Sequence, residues 1–319
     1  MKRKKRWIKI IGGLLAILLI INFGAGVFFY KLAIERGPKD FLTGNADLEV
    51  SAEAMDVFTQ GDWRTWHDNQ DFEYWQMKTF DDLTLQGYFL EAEEPTNKTV
   101  VFAHGYLGRA RDMALFGEHY YEELGYNMFT ADSRGHGLSE GDYIGFGWHD
   151  RLDYVLWIDR IIEELGEDTE IILHGVSMGA ATVLMTAGEE LPDNVKLVVA
   201  DSPYSSVKDL FDYQLDRMFN LPSFPVLPAT GMVTDYQAGY NFKEASVLEQ
   251  VKKADVPILY IHGGSDSFVP TAMTELLYEN TQTEKEMFIV PGASHGESIV
   301  LDREGYLETL YGFLDTHLE

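Results

Sequence analysis

The sequence contains no cysteine among its 319 residues. This absence excludes disulfide bonds, thiolate zinc sites, iron–sulfur clusters and a cysteine nucleophile. It does not identify the compartment, because a chain without cysteine is compatible with an oxidising exterior. The content of 45% hydrophobic and 13% aromatic residues excludes a largely disordered chain. At about 150 residues per domain, the length allows one large or two small domains with a sizeable core.

Basic residues are scarce outside the N-terminus. The chain has 25 Lys and Arg against 52 Asp and Glu, a formal net charge of −27. Eight basic residues and one acidic residue lie in residues 1–36, so the remainder carries 17 basic and 51 acidic residues. A body this acidic repels nucleic acid and anionic lipid headgroups. We therefore expect no nucleic-acid partner and interpret the acidity as a solubilising surface.

Residues 10–30 form an uncharged run in which Asn22 is the only strongly polar side chain. As a helix, these 21 residues extend about 31 Å, close to the ~30 Å hydrocarbon core of a bilayer. Five consecutive basic residues at positions 2–6 precede the run, and the positive-inside rule then keeps residues 1–9 in the cytoplasm. We predict that residues 1–36 are a cytoplasmic tail and an uncleaved, single-pass anchor in the cell membrane, with the body outside the cell.

A cleaved signal peptide is the alternative for this segment. The small residues Gly24, Ala25 and Gly26 would suit a signal peptidase, and cleavage would release a secreted protein. The apolar run is longer than the ~7–15 residues of a usual signal core, and it continues through Phe29. These features favour retention of the anchor.

The rest of the chain alternates short apolar runs with helical patterns. Residues 37–71 form a linker and lead-in without a clear period. Strands are predicted at 72–79, 83–91, 100–103, 127–131, 171–173, 197–200, 258–261 and 287–290, and helices at 112–124, 148–165, 178–190, 271–280 and 299–317. Continuous apolar runs suit strands that are buried on both faces. The prediction for residues 72–319 is an α/β domain whose mostly parallel central sheet has helices on both faces.

Residues 204–250 interrupt this alternation. They contain three prolines and a helical opening at 207–219, and they lie between two candidate core strands. We predict a cap over a site, because ligands of such sheets bind at the carboxyl ends of the strands. Six aromatic residues of this cap are candidates either for an acyl or aryl pocket or for the cap's own core: Phe211, Tyr213, Phe219, Phe224, Tyr236 and Tyr240.

A candidate nucleophile follows the apolar run at 171–173. Residues 175–179 read Gly-Val-Ser-Met-Gly, a G-x-S-x-G pattern between a predicted strand and an Ala-rich helix start. Such a sharp turn lifts the serine hydroxyl toward substrate, and the flanking glycines relieve its crowding. Ser177 needs a base, and the candidate is His295, just past the last apolar run.

A carboxylate should orient His295 and stabilise its cation. Asp266, after the run at 258–261, is the preferred candidate, and Asp201, at the end of the preceding run, is the alternative. An oxyanion needs main-chain N–H donors, and we expect one from Met178, directly after the serine, where the helix dipole helps. The other is expected from Tyr106 in the loop at 104–108, with the next residue, Leu107, as second choice.

These motifs resemble the α/β-hydrolase superfamily over about residues 72–318. They lie at 104–108, 132–139, 175–179, 262–266 and 294–296, and the order of nucleophile, acid and base is that of the superfamily. The resemblance implies Ser177, Asp266 and His295 as a triad, with Tyr106 and Met178 as oxyanion donors and residues 204–250 as the cap. It assigns a structural role to the turn at 132–139. With the anchor, the whole resembles membrane-anchored cell-surface α/β hydrolases of Gram-positive bacteria.

The predicted function is hydrolysis of a small-molecule ester or other acyl substrate through an acyl-enzyme, without metal or organic cofactor. Serine at position 177 disfavours the epoxide hydrolase and dehalogenase branches, which have Asp there. Two alternatives remain open. One is a serine peptidase or amidase with the same triad, and the other is a non-catalytic surface adaptor that kept the fold. The sequence does not predict the oligomeric state.

Overall fold

An eight-stranded sheet forms the centre of the molecule in a computed structural model that describes residues 2–318. The first residue of the predicted tail and the last residue of the predicted hydrolase domain lie outside this range. Its strands are β1 (Glu73–Lys78), β2 (Thr84–Leu90), β3 (Lys98–Ala103), β4 (Asn127–Ala131), β5 (Glu170–Val176), β6 (Val195–Asp201), β7 (Ile258–Gly263) and β8 (Lys285–Val290). Their spatial order in the sheet is β1-β2-β4-β3-β5-β6-β7-β8.

The sheet is mostly parallel. Strand β2 pairs antiparallel with both β1 and β4, and every pair from β4 to β8 is parallel. The parallel strands therefore end at one edge, where the loops after β3, β5, β7 and β8 meet. The prediction of an α/β fold with a mostly parallel sheet is confirmed.

Twelve α-helices lie in the described residues. They are α1 (Lys2–Ala33), α2 (Ala52–Gln60), α3 (Trp63–Asp68), α4 (Ala114–Glu122), α5 (Asp150–Leu165), α6 (Met178–Thr186), α7 (Val207–Phe219), α8 (Ser223–Ala238), α9 (Val247–Val251), α10 (Thr271–Asn280), α11 (Ser298–Leu301) and α12 (Arg303–His317). The helix predicted at 299–317 is two helices, because Asp302 leaves helical geometry and its side chain caps α12 by accepting the N–H of Gly305.

Alternate strand residues pack against helices on the two faces of the sheet. On one face, Val101 and Leu173 belong to the same cluster as Trp157 of α5. On the other, Val100 packs in a cluster with Tyr120 of α4 and with α12. Both faces are buried, which explains why the strands read as continuous apolar runs rather than as alternating patterns.

The segment predicted as an irregular lead-in, 37–71, contains the helices α2 and α3. The Ser51 hydroxyl caps α2 by accepting the N–H of Ala54 at 3.1 Å. Trp63 of α3 is buried in the cluster on the α4 face. Helices of nine and six residues have too few turns to display a hydrophobic period, so the sequence pattern did not reveal them.

Helix α1 is long and apolar enough, by length and composition, to cross a membrane, and it is the one such helix in the described residues. From Lys4 to Ile21 its side chains are exposed, and beyond this point the domain covers one face. At Gly26, a Cβ atom would lie 2.8 Å from the main chain of Ala229 in α8, so only glycine permits this helix contact.

The residues directly after the end of α1 are hydrogen-bonded to the domain, so no free linker separates the two. The N–H of Ile144 donates to the carbonyl of Ile34 at 2.8 Å, and the N–H of Arg36 donates to the carbonyl of Asp142 at 2.8 Å. The Arg36 guanidinium also donates to three carbonyls of the turn after β4, at 2.8 to 3.2 Å. The region at 34–36 is therefore a fixed joint between the helix and the domain.

A buried arginine holds the turn at 132–139 in place. The Arg134 side chain is fully buried and pairs with both carboxylate oxygens of Asp153, at 2.7 and 2.8 Å. It also donates to Asp81 at 2.9 Å and to the Tyr143 hydroxyl at 2.8 Å. The turn thus acts by joining β4, α5 and the β1–β2 connection.

Replacing Arg134 by Met should lower the free energy of unfolding by about 3–5 kcal/mol, because the buried carboxylate of Asp153 loses its partner. Thermal or denaturant unfolding of the full chain in detergent measures this loss. Lys243→Met, at an exposed cation, is the matched control and should change stability by no more than about 0.5 kcal/mol. Equal losses in the two variants would contradict a structural role for Arg134.

Candidate active site

Ser177 lies at a sharp turn between β5 and α6. Its main chain has φ +56° and ψ −115°, a region that a residue with a side chain rarely adopts. A Cβ atom at Gly175 would lie 2.2 Å from the carbonyl oxygen of Gly179, and one at Gly179 would lie 1.9 Å from the carbonyl oxygen of Ala103. Both glycines are thus required by close backbone contacts, which hold Ser177 at the carboxyl edge of the sheet.

The structure brings Ser177, His295 and Asp266 together, although they come from three different loops. The Oγ atom of Ser177 lies 2.8 Å from Nε2 of His295. The Nδ1 atom of His295 lies 2.7 Å from Oδ2 of Asp266. In this geometry, the carboxylate fixes the imidazole with Nδ1 protonated, and Nε2 is free to accept the serine proton.

Asp266 is held as a carboxylate. Its Oδ1 atom accepts the N–H groups of Phe268 and Val269 at 2.9 and 2.8 Å, and Oδ2 lies 3.1 Å from Nε2 of His262. Burial raises the pKa of Asp266, but His295 and His262 outweigh it and hold that pKa well below its usual value. For His295 the effects have the opposite sign. Burial lowers its pKa, but the charge of Asp266 and the hydrogen bond to it have the larger effect, so the pKa of His295 is raised.

Asp201, the alternative acid, has a different position. Its Oδ1 atom accepts the hydroxyl of Ser202 at 2.8 Å, and its main-chain carbonyl accepts the N–H of Ser177 at 2.7 Å. Burial raises the pKa of Asp201 to about 6. Asp201 therefore holds the backbone of the turn at Ser177, whereas Asp266 makes the hydrogen bond to His295.

The loop after β3 lies directly beside Ser177, since a Cβ atom at Gly105 would be 3.5 Å from Cβ of Ser177. The Nε2 atom of His104 accepts the N–H of Ser133 at 3.0 Å, so Nδ1 carries the proton and donates to the carbonyl of Gly105 at 2.8 Å. In a trans peptide, the N–H of Tyr106 points away from that carbonyl. His104 thus fixes the direction of the Tyr106 N–H.

The predicted oxyanion donors differ in whether their main-chain N–H groups already donate a hydrogen bond within the protein. The N–H of Leu107, the second choice, donates to Nε2 of His136 at 3.3 Å. Among the hydrogen bonds of the described residues, the N–H groups of Tyr106 and Met178 have no acceptor. Met178 is also the first residue of α6, where the helix dipole favours negative charge.

An apolar cavity reaches Ser177 and Met178 from beneath the cap. Its wall is formed by the end of α1, by α7 and α8, and by loops at the edge of the sheet. The lining contains no charged side chain; it comprises Phe29, Leu32, Ala33, Phe41, Leu42, Tyr106, Phe146, Tyr204, Leu210, Phe211, Gln214, Leu215, Met218, Phe219, Val226, Leu227, Thr230, Phe268 and Val269 besides the two residues above.

The six aromatic residues of the cap have separate positions. Phe211 and Phe219 line the cavity. Tyr240 is buried elsewhere and donates its hydroxyl to the carbonyl of Ile144 at 3.0 Å, whereas Phe224 and Tyr236 are exposed. Tyr213 is outside the lining, and its hydroxyl donates to the carbonyl of Ser267 at 2.8 Å.

The end of α1 is part of the site, which the sequence pattern did not indicate. Phe29, Leu32 and Ala33 line the cavity, and the hydroxyl of Tyr106 donates to the carbonyl of Ala33 at 2.7 Å. An apolar residue in this helix is equally suited to lipid and to a pocket, so composition alone could not distinguish them. In the described residues, no group of three or more His, Asp or Glu side chains is placed to hold a metal ion.

The fold and the residues at its carboxyl edge define an α/β hydrolase. Residues 94–224 match the family model described as serine aminopeptidase, S33. The Bacillus subtilis protein YqkD is 30% identical over 235 residues, which cover 72% of this chain and 75% of YqkD. The Escherichia coli K12 protein YfhR is 26% identical over 242 residues, covering 73% and 77% of the two chains. The chain belongs to the serine aminopeptidase-like family of α/β hydrolases.

Solved structures show the same fold. The Pyrococcus furiosus esterase Pf2001 superposes with a TM-score of 0.60 at 22% identity, covering 78% of this chain and 92% of the esterase. The Pyrococcus horikoshii acylaminoacyl peptidase superposes with a TM-score of 0.60 at 19% identity, covering 82% of this chain and 44% of the peptidase. At these identities, the likeness concerns the fold alone.

Replacing Gly179 by Ala should lower the free energy of unfolding by about 1–3 kcal/mol, because α6 must move away from β3 to admit the new methyl group. Thermal unfolding of the full chain measures the effect. The control is Gly312→Ala in α12, where a Cβ atom meets nothing within 4 Å and the change should be neutral or stabilising by up to about 1 kcal/mol. A Gly179→Ala protein as stable as the control would refute the close contact.

Proposed function

We propose that this protein is a serine hydrolase that cleaves carboxylic esters through a triad of Ser177, His295 and Asp266. The observation that carries the proposal is the continuous pair of hydrogen bonds, 2.8 and 2.7 Å long, from the serine hydroxyl through the imidazole to the carboxylate. The available N–H groups of Tyr106 and Met178 support it, because an acyl-transfer enzyme needs donors for a developing oxyanion.

The mechanism follows from these positions. Nε2 of His295 takes the proton of Ser177 as Oγ forms a bond to the carbonyl carbon of the ester, and the oxyanion accepts the N–H groups of Tyr106 and Met178. The carbon–oxygen bond to the alcohol then breaks, and the imidazolium returns its proton to the leaving alkoxide. Water, deprotonated by His295, attacks the acyl-enzyme and releases the carboxylic acid with Ser177 restored.

Amide hydrolysis is the second candidate, because the family description names a serine aminopeptidase. An aminopeptidase must bind a free α-ammonium group, for which a carboxylate is the usual partner. The lining of the cavity includes no Asp or Glu side chain. This observation favours uncharged acyl substrates, and a panel of matched esters and aminoacyl amides discriminates the two activities.

The same proposal includes an intact N-terminal anchor, with the catalytic domain outside the cell. Cleavage after Gly26 would cut α1 at its contact with Ala229 and would free the segment that carries Phe29 and Ala33. The basic residues before the apolar run support a cytoplasmic N-terminus.

Ser177→Ala should abolish hydrolysis of a short p-nitrophenyl ester and labelling by a fluorophosphonate, because no other group at this position can form the acyl-enzyme. Activity should fall by about 10⁴-fold or more, with an unchanged unfolding temperature. Ser202→Ala, at a buried serine bonded to Asp201, is the control and should keep its labelling. A Ser177→Ala protein that retains most of its activity would eliminate the proposed triad.

The rate of fluorophosphonate labelling should rise with pH through the raised pKa of His295 and then level off, because only the neutral imidazole acts as a base. Asp266→Asn removes the charge that raises this pKa, so the midpoint should move to lower pH while the plateau falls by about 10⁴-fold. Labelling rates measured across a pH series test both statements. A midpoint that stays fixed or moves upward would contradict the role of Asp266.

A further inference from the structure

The freely exposed part of α1 is too short to cross a bilayer. Every residue from 10 to 21 is exposed, and this stretch extends about 18 Å, whereas the hydrocarbon core is ~30 Å thick. Even counted from Trp7, the exposed stretch reaches only about 22 Å. If α1 spans the membrane, the outermost part of the hydrocarbon core therefore surrounds the stretch from Asn22 onward, one face of which is covered by the domain.

The other face of that stretch suits lipid. Phe23 and Phe28 are exposed on α1 beyond Ile21, at the same level as the contact between Gly26 and Ala229. A large apolar side chain gains little from water and much from hydrocarbon. Lipid that covers Phe28 also reaches the level of the cap helix α8, because α8 is packed against this part of α1.

The cap has the composition expected of a segment in lipid. Residues 218–234 form an uncharged stretch of 17 residues in a chain that is 24% charged, so about four charged residues would be expected there. Its outer face carries exposed apolar side chains, among them Phe224 and Met232. Met232 is 75% exposed and lies one helical turn from Ala229, at the level of the apolar part of α1.

An apolar wall continues from this surface to the nucleophile. The ring of Phe28 contacts the ring of Phe29, and Phe29 contacts Phe219, with centroids 5.1 Å apart in both pairs. Phe29 and Phe219 line the cavity that reaches Ser177. The exposed apolar side of α1 and the wall of the cavity are thus joined by a chain of aromatic contacts.

We propose that the cap lies within the outer leaflet and that the substrate is a long-chain acyl ester resident in the membrane. Its acyl chain leaves the bilayer beside the exposed side of α1 and follows the apolar wall formed by Phe29 and Phe219 into the cavity, which brings the ester carbonyl to Ser177. The chemistry rests on the proposed function, with water as the only co-reactant, whereas the depth of the cap is a separate physical statement. The anchor is accordingly one wall of the substrate site as well as a tether.

The depth of the cap is measured most directly with single cysteines, because the chain has none of its own. Full-length Met232→Cys, labelled with an environment-sensitive fluorophore in phosphatidylcholine nanodiscs, should show blue-shifted emission that lipids with a nitroxide on the upper acyl chain quench strongly. The control is Tyr74→Cys, which is 72% exposed on β1, five strand positions away from β6, the strand that precedes the cap. This label should report water and should remain unquenched. Equal, weak quenching at both positions would overturn the inference.

The substrate class is tested with two esters of the same fluorogenic alcohol. 4-Methylumbelliferyl oleate is presented in phosphatidylcholine nanodiscs, and the water-soluble butyrate is presented in buffer. Met232→Glu should reduce kcat/KM for the oleate by about tenfold, because a carboxylate resists insertion into hydrocarbon. It should leave the butyrate rate within about twofold, because Met232 is exposed and outside the cavity lining. Tyr74→Glu should alter neither rate.

The outcomes separate this inference from the proposed function. A wild-type protein that cleaves neither ester and resists fluorophosphonate labelling would refute the hydrolase itself. A protein that cleaves the butyrate but gains nothing from a long chain in the membrane would refute only the lipid substrate. Equal loss of both activities in Met232→Glu, with normal unfolding, would likewise refute the role of the membrane-inserted cap in uptake of the long acyl chain.

Discussion

The close approach of α6 to the end of β3 is the contact on which the site depends. With no side chains at Gly175 and Gly179, two backbone segments meet at distances that a methyl group would block. This contact stabilises the unfavourable φ of Ser177 and places the loop at Gly105 beside it. The Ser177 hydroxyl then lies 2.8 Å from Nε2 of His295, and the loop that carries Tyr106 adjoins Ser177.

Hydrogen-bond donors, rather than burial, distinguish the two acids at neighbouring strand ends. Asp201 and Asp266 are both buried, but Asp266 receives two main-chain N–H groups and faces two histidines. The two histidines outweigh burial and lower the pKa of Asp266, whereas burial raises the pKa of Asp201 to about 6. A charged carboxylate suits the support of an imidazolium, whereas Asp201 accepts one serine hydroxyl through its Oδ1 atom.

The sequence predicted the sheet and placed the chemistry-bearing residues at its carboxyl edge, because continuous apolar runs and the polar residues after them are local signals. Ser177, Asp266 and His295 each follow such a run, and parallel strands bring those ends together. Contacts between distant segments gave no local signal. The helices α2 and α3 are too short to show a period, and the role of His104 depends on a hydrogen bond to Ser133, 29 residues away.

The joint at 34–36 has a mechanical consequence. The main chain of Ile34 and Arg36 is bonded directly to the segment at 142–144, and the Arg36 side chain joins three further carbonyls. A tethered enzyme with a slack connection sweeps a hemisphere above its anchor point, and its reach grows with the length of the connection. Here that length is close to zero. The domain therefore rotates and diffuses together with its helix. Its active site stays at a nearly constant distance from the plane in which that helix is held.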